Sequence, residues 1–232
     1  MKITRRITEA ISWRHAAGEI LLIFIGVVIA LQASDWWDRK AERRLETAYL
    51  VELQSDLQQD RQKVAEALDR HKKIEATVSE LLEYLRSDQP YSDELDASFG
   101  VLYGVKAFEV NSAAYESLKS HGVTLISNPE LRPHIARVFE DTYARVQRSV
   151  LYEGQAIMDL LRPYFLVNFR DLRFNISATP IDYDAIANDP EFINLVSYRL
   201  QLSIQNQIPT FTRSLDEIDA LTAAIDEELK GR

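Results

Sequence analysis

The feature that most narrows what this chain can fold into is an apolar segment near its start. Residues 16–33 read AAGEILLIFIGVVIALQA, with no charge from Ile20 to Leu31. At 1.5 Å per helical residue these 18 residues reach roughly 27 Å, just short of the ~30 Å hydrocarbon layer of a bilayer. Trp13 stands before the segment and Trp36 with Trp37 after it, accounting for all three tryptophans. Their spacing of about 34 Å suits an aromatic belt at two interfaces. The segment is therefore expected to be a transmembrane helix over residues 16–34, preceded by a basic arm over 1–15. Two other readings share its length: a cleaved signal sequence, for which Leu31-Gln32-Ala33 is an imperfect cleavage site, and a buried core helix. The basic arm and the Trp pair favour the span.

Charge divides along the same boundary. The arm carries Lys2, Arg5, Arg6 and Arg14 against Glu9, a net of +3, and the span carries only Glu19. Residues 35–232 hold the other 23 basic and 34 acidic side chains, a net of −11. Nucleic acid is excluded as a partner class, because phosphate neutralisation needs a surplus of Lys and Arg. Four basic residues precede the span and four follow it (Arg39, Lys40, Arg43, Arg44), so counting them does not fix orientation. A short basic arm before a long acidic domain resembles a signal anchor. It places the N-terminus in the cytoplasm and the acidic domain outside the bacterial inner membrane. Within the span, Gly26 and Ala30 have the small-xxx-small spacing that lets helices approach. Glu19 is costly in lipid unless it reaches the headgroups or pairs with His15, one turn away.

After Gly26 neither Gly nor Pro occurs until Pro90, so the span is expected to run on into a long helix. Leu50, Leu53, Leu57, Asp60, Val64, Ala67, His71, Ile74, Val78, Leu81 and Leu85 follow a 3-4 spacing, and nine of these eleven are apolar. Such a seam belongs to a coiled coil or to an intramolecular bundle. Asp60 and His71 interrupt it, as setters of pairing or as water-facing positions, with His71 read as structural. Glu52, Asp56 and Asp60 share one helical face, read as solvated beside Arg61 and Lys63.

Further helices are expected at residues 93–103, from Ala113 to a C-cap at Gly122, from the Asn128-Pro129 cap to Pro163, and from Asp189-Pro190 onward. Pro209 should kink or break the last of these. Residues 101–110 read as a connection and 163–189 as an irregular stretch with a cap at Asp182. With seven Gly and seven Pro in 232 residues, the fold class is all-α: one transmembrane helix continuing into an antiparallel helical bundle, the acidic domain of residues 35–232.

The absence of Cys removes disulfides, thiolate metal sites and Cys nucleophiles. His15, His71, His121 and His134 are scattered without a metal-ligand spacing, and no phosphate loop or nucleophile elbow occurs. No catalytic residue, cofactor or metal is expected. The densest polar patterning surrounds the 122–128 turn, where Tyr115, His121, Asn128 and Arg132 either line a small-molecule pocket or serve as ordinary turn and cap residues.

Gly18-Glu19-Ile20, Gly26, Ile29-Ala30-Leu31-Gln32 and Trp36, followed by Tyr49-Leu50, Leu53 and Asp56-Leu57, resemble the start of a family of uncharacterised bacterial single-pass membrane proteins, a domain of unknown function. Tyr115, Leu118, Gly122, Leu125-Ile126, Asn128 and Leu131-Arg132, with Asn188-Asp189-Pro190-Glu191-Phe192, are similar to its later segments. The resemblance implies a short arm, one span and a helical domain, and carries no activity. The expected role is a membrane-anchored interaction, sensor-like or scaffold module. Its partners would be membrane lipid and a protein, or a second copy, engaged through the span or the 50–85 helix. The alternative is a small-molecule-binding protein or enzyme built on the Tyr115, His121, Asn128 and Arg132 pocket.

Overall fold

The expected long helix is a single element, α1, running from Trp13 to Arg86. The computed structural model describes residues 13–231, with side chains from Gly18 onward, so residues 1–12 of the basic arm and the Trp13 side chain lie outside the described residues. Two compact units divide between Ala48 and Tyr49. Before that division the described apolar residues of α1 are exposed apart from the half-buried Val28; after it, all eleven seam positions from Leu50 to Leu85 are buried.

Eight further helices follow among the described residues. They are α2 (Leu95–Leu102), α3 (Ala113–His121), α4 (Leu131–Ala136), α5 (Tyr143–Ala156), α6 (Arg162–Asn168), α7 (Tyr183–Ala187), α8 (Pro190–Leu202) and α9 (Ile208–Lys230). The fold is all-α apart from one hairpin. Gly122, at φ 103°, closes α3 as its sequence position requires. Asp182 and Asp189 each accept a backbone N–H of the helix that follows, from Ala185 and Glu191.

Helices α4, α5 and α6 join end to end through the wide turns Arg137–Thr142 and Ile157–Leu161, and α8 joins α9 through Ser203–Gln207. The last two wide turns each stop two residues before a proline, Pro163 and Pro209. A proline has no N–H for the carbonyl four residues back and its ring crowds that carbonyl, so the preceding turn opens. Pro209 therefore widens the helix without ending it.

Three rods result: residues 49–86 of α1, residues 131–168, and residues 190–230. His71 meets Glu153 and Arg61 meets Asp219, while Arg145 meets Glu217 and Arg199 meets Glu153. The first two rods accordingly run in the same sense and the third runs against them. The chain must therefore return between rods one and two. It does so through α2 and the extended residues 104–112, which at about 3.3 Å per residue retrace some 30 Å.

That return explains Asp56 and Asp60, which are buried and do not form the solvated face expected of them. Asp60 accepts the Asn111 N–H at 2.8 Å, and Asp56 accepts the Asn111 side-chain amide at 2.7 Å and the Ala114 N–H at 3.1 Å. The free N–H groups at the start of α3 need acceptors, and α1 supplies them.

The stretch expected to be irregular contains an antiparallel hairpin, β1 (Phe169–Arg173) and β2 (Ser177–Pro180), pairing Phe169 with Pro180 and Arg173 with Ser177. Two strands alone are marginal, and these are held by α2. Asn175 donates its backbone N–H to the Gly100 carbonyl at 3.1 Å, and the Thr179 hydroxyl donates to Asp96.

The core falls into two apolar clusters. One gathers Leu50 to Ala67 with α3, α4, the start of α5, and α9; the other gathers Ile74 to Leu85 with α2, α6, the hairpin, α7 and α8. A β-carbon added at Gly100 would sit 2.2 Å from the Ser177 nitrogen. Gly100→Ala is expected to lower stability by about 1–3 kcal/mol. Gly154→Ala, where an added β-carbon meets nothing within 4 Å, should raise it by about 0.5–1 kcal/mol. Chemical denaturation of both variants checks the pair.

Candidate functional site

The four residues singled out near the 122–128 turn have separate local partners. The Tyr115 ring stacks on Phe139 and its hydroxyl donates to Glu140 at 2.8 Å. Burial, then that hydrogen bond, pushes the phenol above its ordinary range. His121 Nδ1 lies 2.8 Å from the Tyr49 hydroxyl. Asn128 accepts the Glu130 N–H at 3.0 Å as a cap while its amide donates to Glu228 at 2.7 Å. Arg132 Nε donates to the Ile126 carbonyl at 2.5 Å. A shallow cavity of about 510 Å³ beside Asn128 is lined by Leu131, His134 and Glu227 among others, without Tyr115, His121 or Arg132. Asn128 acts as a cap, whereas Tyr115 and His121 are tied to other side chains.

The described residues expected to face a membrane lie on the exposed part of α1. Glu19 is exposed, Gly26 has open space around its α-carbon, and Trp36 and Trp37 meet edge to face at 5.2 Å with Lys40 Nζ 4.9 Å above Trp36. One helix is long and apolar enough to cross a membrane, with a mean hydropathy of 1.9 over its best window and none of that window buried.

The most unusual chemistry lies where no sequence motif marked it, between the two apolar clusters. Arg199 from α8 is fully buried and reaches Glu153 of α5 at 2.7 Å. The other carboxylate oxygen of Glu153 lies 3.7 Å from His71 Nε2, and the His71 ring stacks on Phe211 at 5.3 Å. Ser149, one turn before Glu153, shares hydrogen bonds with Asn206 and Gln207, and Gln207 donates back to the Ser149 carbonyl at 3.0 Å. His71, read as structural, lies in this layer beside Glu153 of the second rod and Phe211 of the third. Its partners are far apart in sequence, and the only local sign was a His in an apolar seam.

Electrostatics fix the protonation of the layer. Burial, then the positive charges of Arg199 and Arg70, hold His71 at about 3 against an ordinary 6.5. His71 is therefore neutral, and Glu153 serves as the counter-charge of Arg199. Among the described residues no group of three or more His, Cys, Asp or Glu is placed to hold a metal ion. A buried ion pair, a neutral imidazole and amide–hydroxyl links thus join helices of all three rods in one layer.

Two results should follow. Glu153→Gln strands the Arg199 charge and is expected to cost about 3–5 kcal/mol, whereas Glu153→Leu with Arg199→Met should cost less than that single change. His71 makes the fold acid-sensitive. The unfolded chain takes up its proton as pH falls through 6.5 and the folded chain only near 3. Stability from this group is complete above 6.5 and drains away as pH falls toward 3. Denaturation midpoints of His71→Gln should fall less than those of the parent between about pH 7 and pH 5.

No curated protein and no solved structure matches this chain. A family model described as a family of unknown function (DUF6090) matches residues 19–202, from the exposed apolar part of α1 through the last residue of α8. With that match covering most of the sequence, including the Gln32, Trp36 and Asn188-Asp189-Pro190 segments, the chain belongs to the DUF6090 family.

Proposed function

We propose that this protein is a membrane-anchored helical interaction module, sensor-like or scaffolding in character, that works through protein contacts of its anchor helix and bundle. The observation that carries this reading is the continuity of α1. One helix contains both the exposed apolar segment and the buried seam of the bundle, with no Gly or Pro from Val27 to Arg86. A helix without a breaker transmits rotation or displacement along its axis. All three wide turns lie on the other rods. The separate partners of Tyr115, His121, Asn128 and Arg132 give this reading preference over a ligand pocket.

The anchor is placed in the bacterial inner membrane, with the N-terminus in the cytoplasm and the acidic bundle outside it. Support comes from the hydropathy of residues 18–34, the Trp36–Trp37 pair at its end, and the charge contrast between arm and body. Membrane lipid is then a direct partner, and a second protein or second copy the functional one.

Photo-crosslinking probes at Glu66, Lys73 and Glu80, which share one exposed face of α1, should capture an envelope protein or a second copy in intact cells. Capture of lipid alone from all three, and from the exposed residues nearer the span, would sink the interaction reading. A reporter active only outside the cytoplasm, fused after Arg232, is expected to be active; silence would reverse the orientation.

A further inference from the structure

The stretch of α1 between the apolar segment and the bundle has its own pattern. Val27, Ala30, Ser34, Trp37, Ala41, Leu45 and Ala48 recur every three or four residues and are all exposed, Trp37 by 63% and Leu45 by 41%. From residue 35 to residue 48 every other position is charged except Trp36 and Thr47. This is an amphipathic helix whose apolar side is exposed among the described residues.

The charges beside that stripe are sorted by sign. At about 100° per residue, Asp38 and Glu42 fall on one edge of the stripe, and Lys40 and Arg44 on the other. Each edge thus holds two like charges four residues apart, which destabilises a lone helix. Along the same stretch Arg39 and Arg43 are also like-charged at this spacing. The two edges gain from a neighbour that brings the opposite sign to each.

We infer that the stripe from Val27 to Ala48 is a parallel self-association surface, occupied by the same stripe of a second copy of this chain. Two-fold symmetry about an axis parallel to the helices sets the acidic edge of one copy against the basic edge of the other, on both sides of the seam. An antiparallel pair sets acid against acid and base against base. Two copies anchored in one membrane are parallel, so the inference rests on the membrane-anchored reading for its orientation. Ala30, Ser34, Ala41 and Ala48 are small enough for close approach, while Trp37 and Leu45 supply most of the apolar area. The seam lies outside the 50–85 face, whose apolar positions are consumed within the bundle.

The absence of Cys permits a direct test on the purified full chain in lipid vesicles containing no other protein. Ala41→Cys and Ala48→Cys should each form a disulfide-linked dimer on mild oxidation, and Arg39→Cys, on the far side of the helix, should not. Lys40→Glu with Arg44→Glu should abolish the dimer of an Ala41→Cys chain, as should Asp38→Lys with Glu42→Lys. Mixing the two charge-reversed chains should restore a mixed dimer. Equal crosslinking from Arg39→Cys and Ala41→Cys, or no dimer from either stripe position, overturns the inference, as does failure of the mixture to recover pairing. If the chain stays monomeric in vesicles while the in-cell probes capture a different envelope protein, self-pairing is lost and the interaction reading survives. Retention of the parent denaturation midpoint verifies that the bundle is intact in each variant.

Discussion

Burial of one face of α1 is the interaction on which the rest of the bundle depends. The face from Leu50 to Leu85 contributes to both apolar clusters, so neither cluster closes without it. The second rod runs in the same sense as α1, which a short helix–helix turn cannot arrange. A return segment is needed, and its cheapest form is extended chain. Extended chain leaves backbone N–H groups to satisfy, and the carboxylates of Asp56 and Asp60 accept them. The polar breaks in the α1 seam are consequences of the topology that α1 itself imposes.

The ionic layer serves a different end. Replacing a buried ion pair with apolar side chains is often neutral or stabilising, so Glu153–Arg199 is weak evidence for stability. It is stronger evidence for register. Sliding the second rod against the third by one turn would pull Arg199 away from Glu153 and leave a charge buried alone, at a cost comparable to much of a domain's net stability. Apolar clusters on either side tolerate such a slip far better, since Leu, Val and Phe repack. Phe211 stacked on His71, and the Ser149–Gln207 exchange, extend the same constraint to α9.

What the sequence made legible was whatever acts within a few residues. The seam period, the caps at Asn128, Asp182 and Asp189, and the Gly122 stop are all local, and each is present. The layer at His71 was not legible, because its partners stand 82 and 128 residues away and neither Glu153 nor Arg199 departs from an ordinary helical pattern. The hairpin was hidden for a related reason. Its strands are five and four residues long and owe their existence to Gly100 and Asp96 on α2. Asp171 and Asn175, which adopt φ of 53° and 59°, were a faint sign of it, since Asp and Asn tolerate that backbone better than most residues. The wide turns had a usable signal in the placement of Pro163 and Pro209.

Departures from the expected polar and apolar patterning along α1 have one physical meaning. Where the helix is buried, polar residues at seam positions mark where another segment brings polar groups inward: Asn111 to Asp60, Glu153 to His71. Where the helix is exposed, apolar residues repeating on one side mark the converse, a surface whose partner lies outside the chain. In both cases the residue is costly where it stands unless something complementary arrives. For Asp60 and His71 that complement is within the bundle. For Trp37 and Leu45 it is absent among the described residues, and the sign-sorted charges around them narrow what it can be. A lipid surface would match Trp36 and Trp37 near the headgroups but gives no reason for acid on one edge and base on the other. A second copy in the same orientation brings the opposite sign to both edges at once, as the proposed pairing requires.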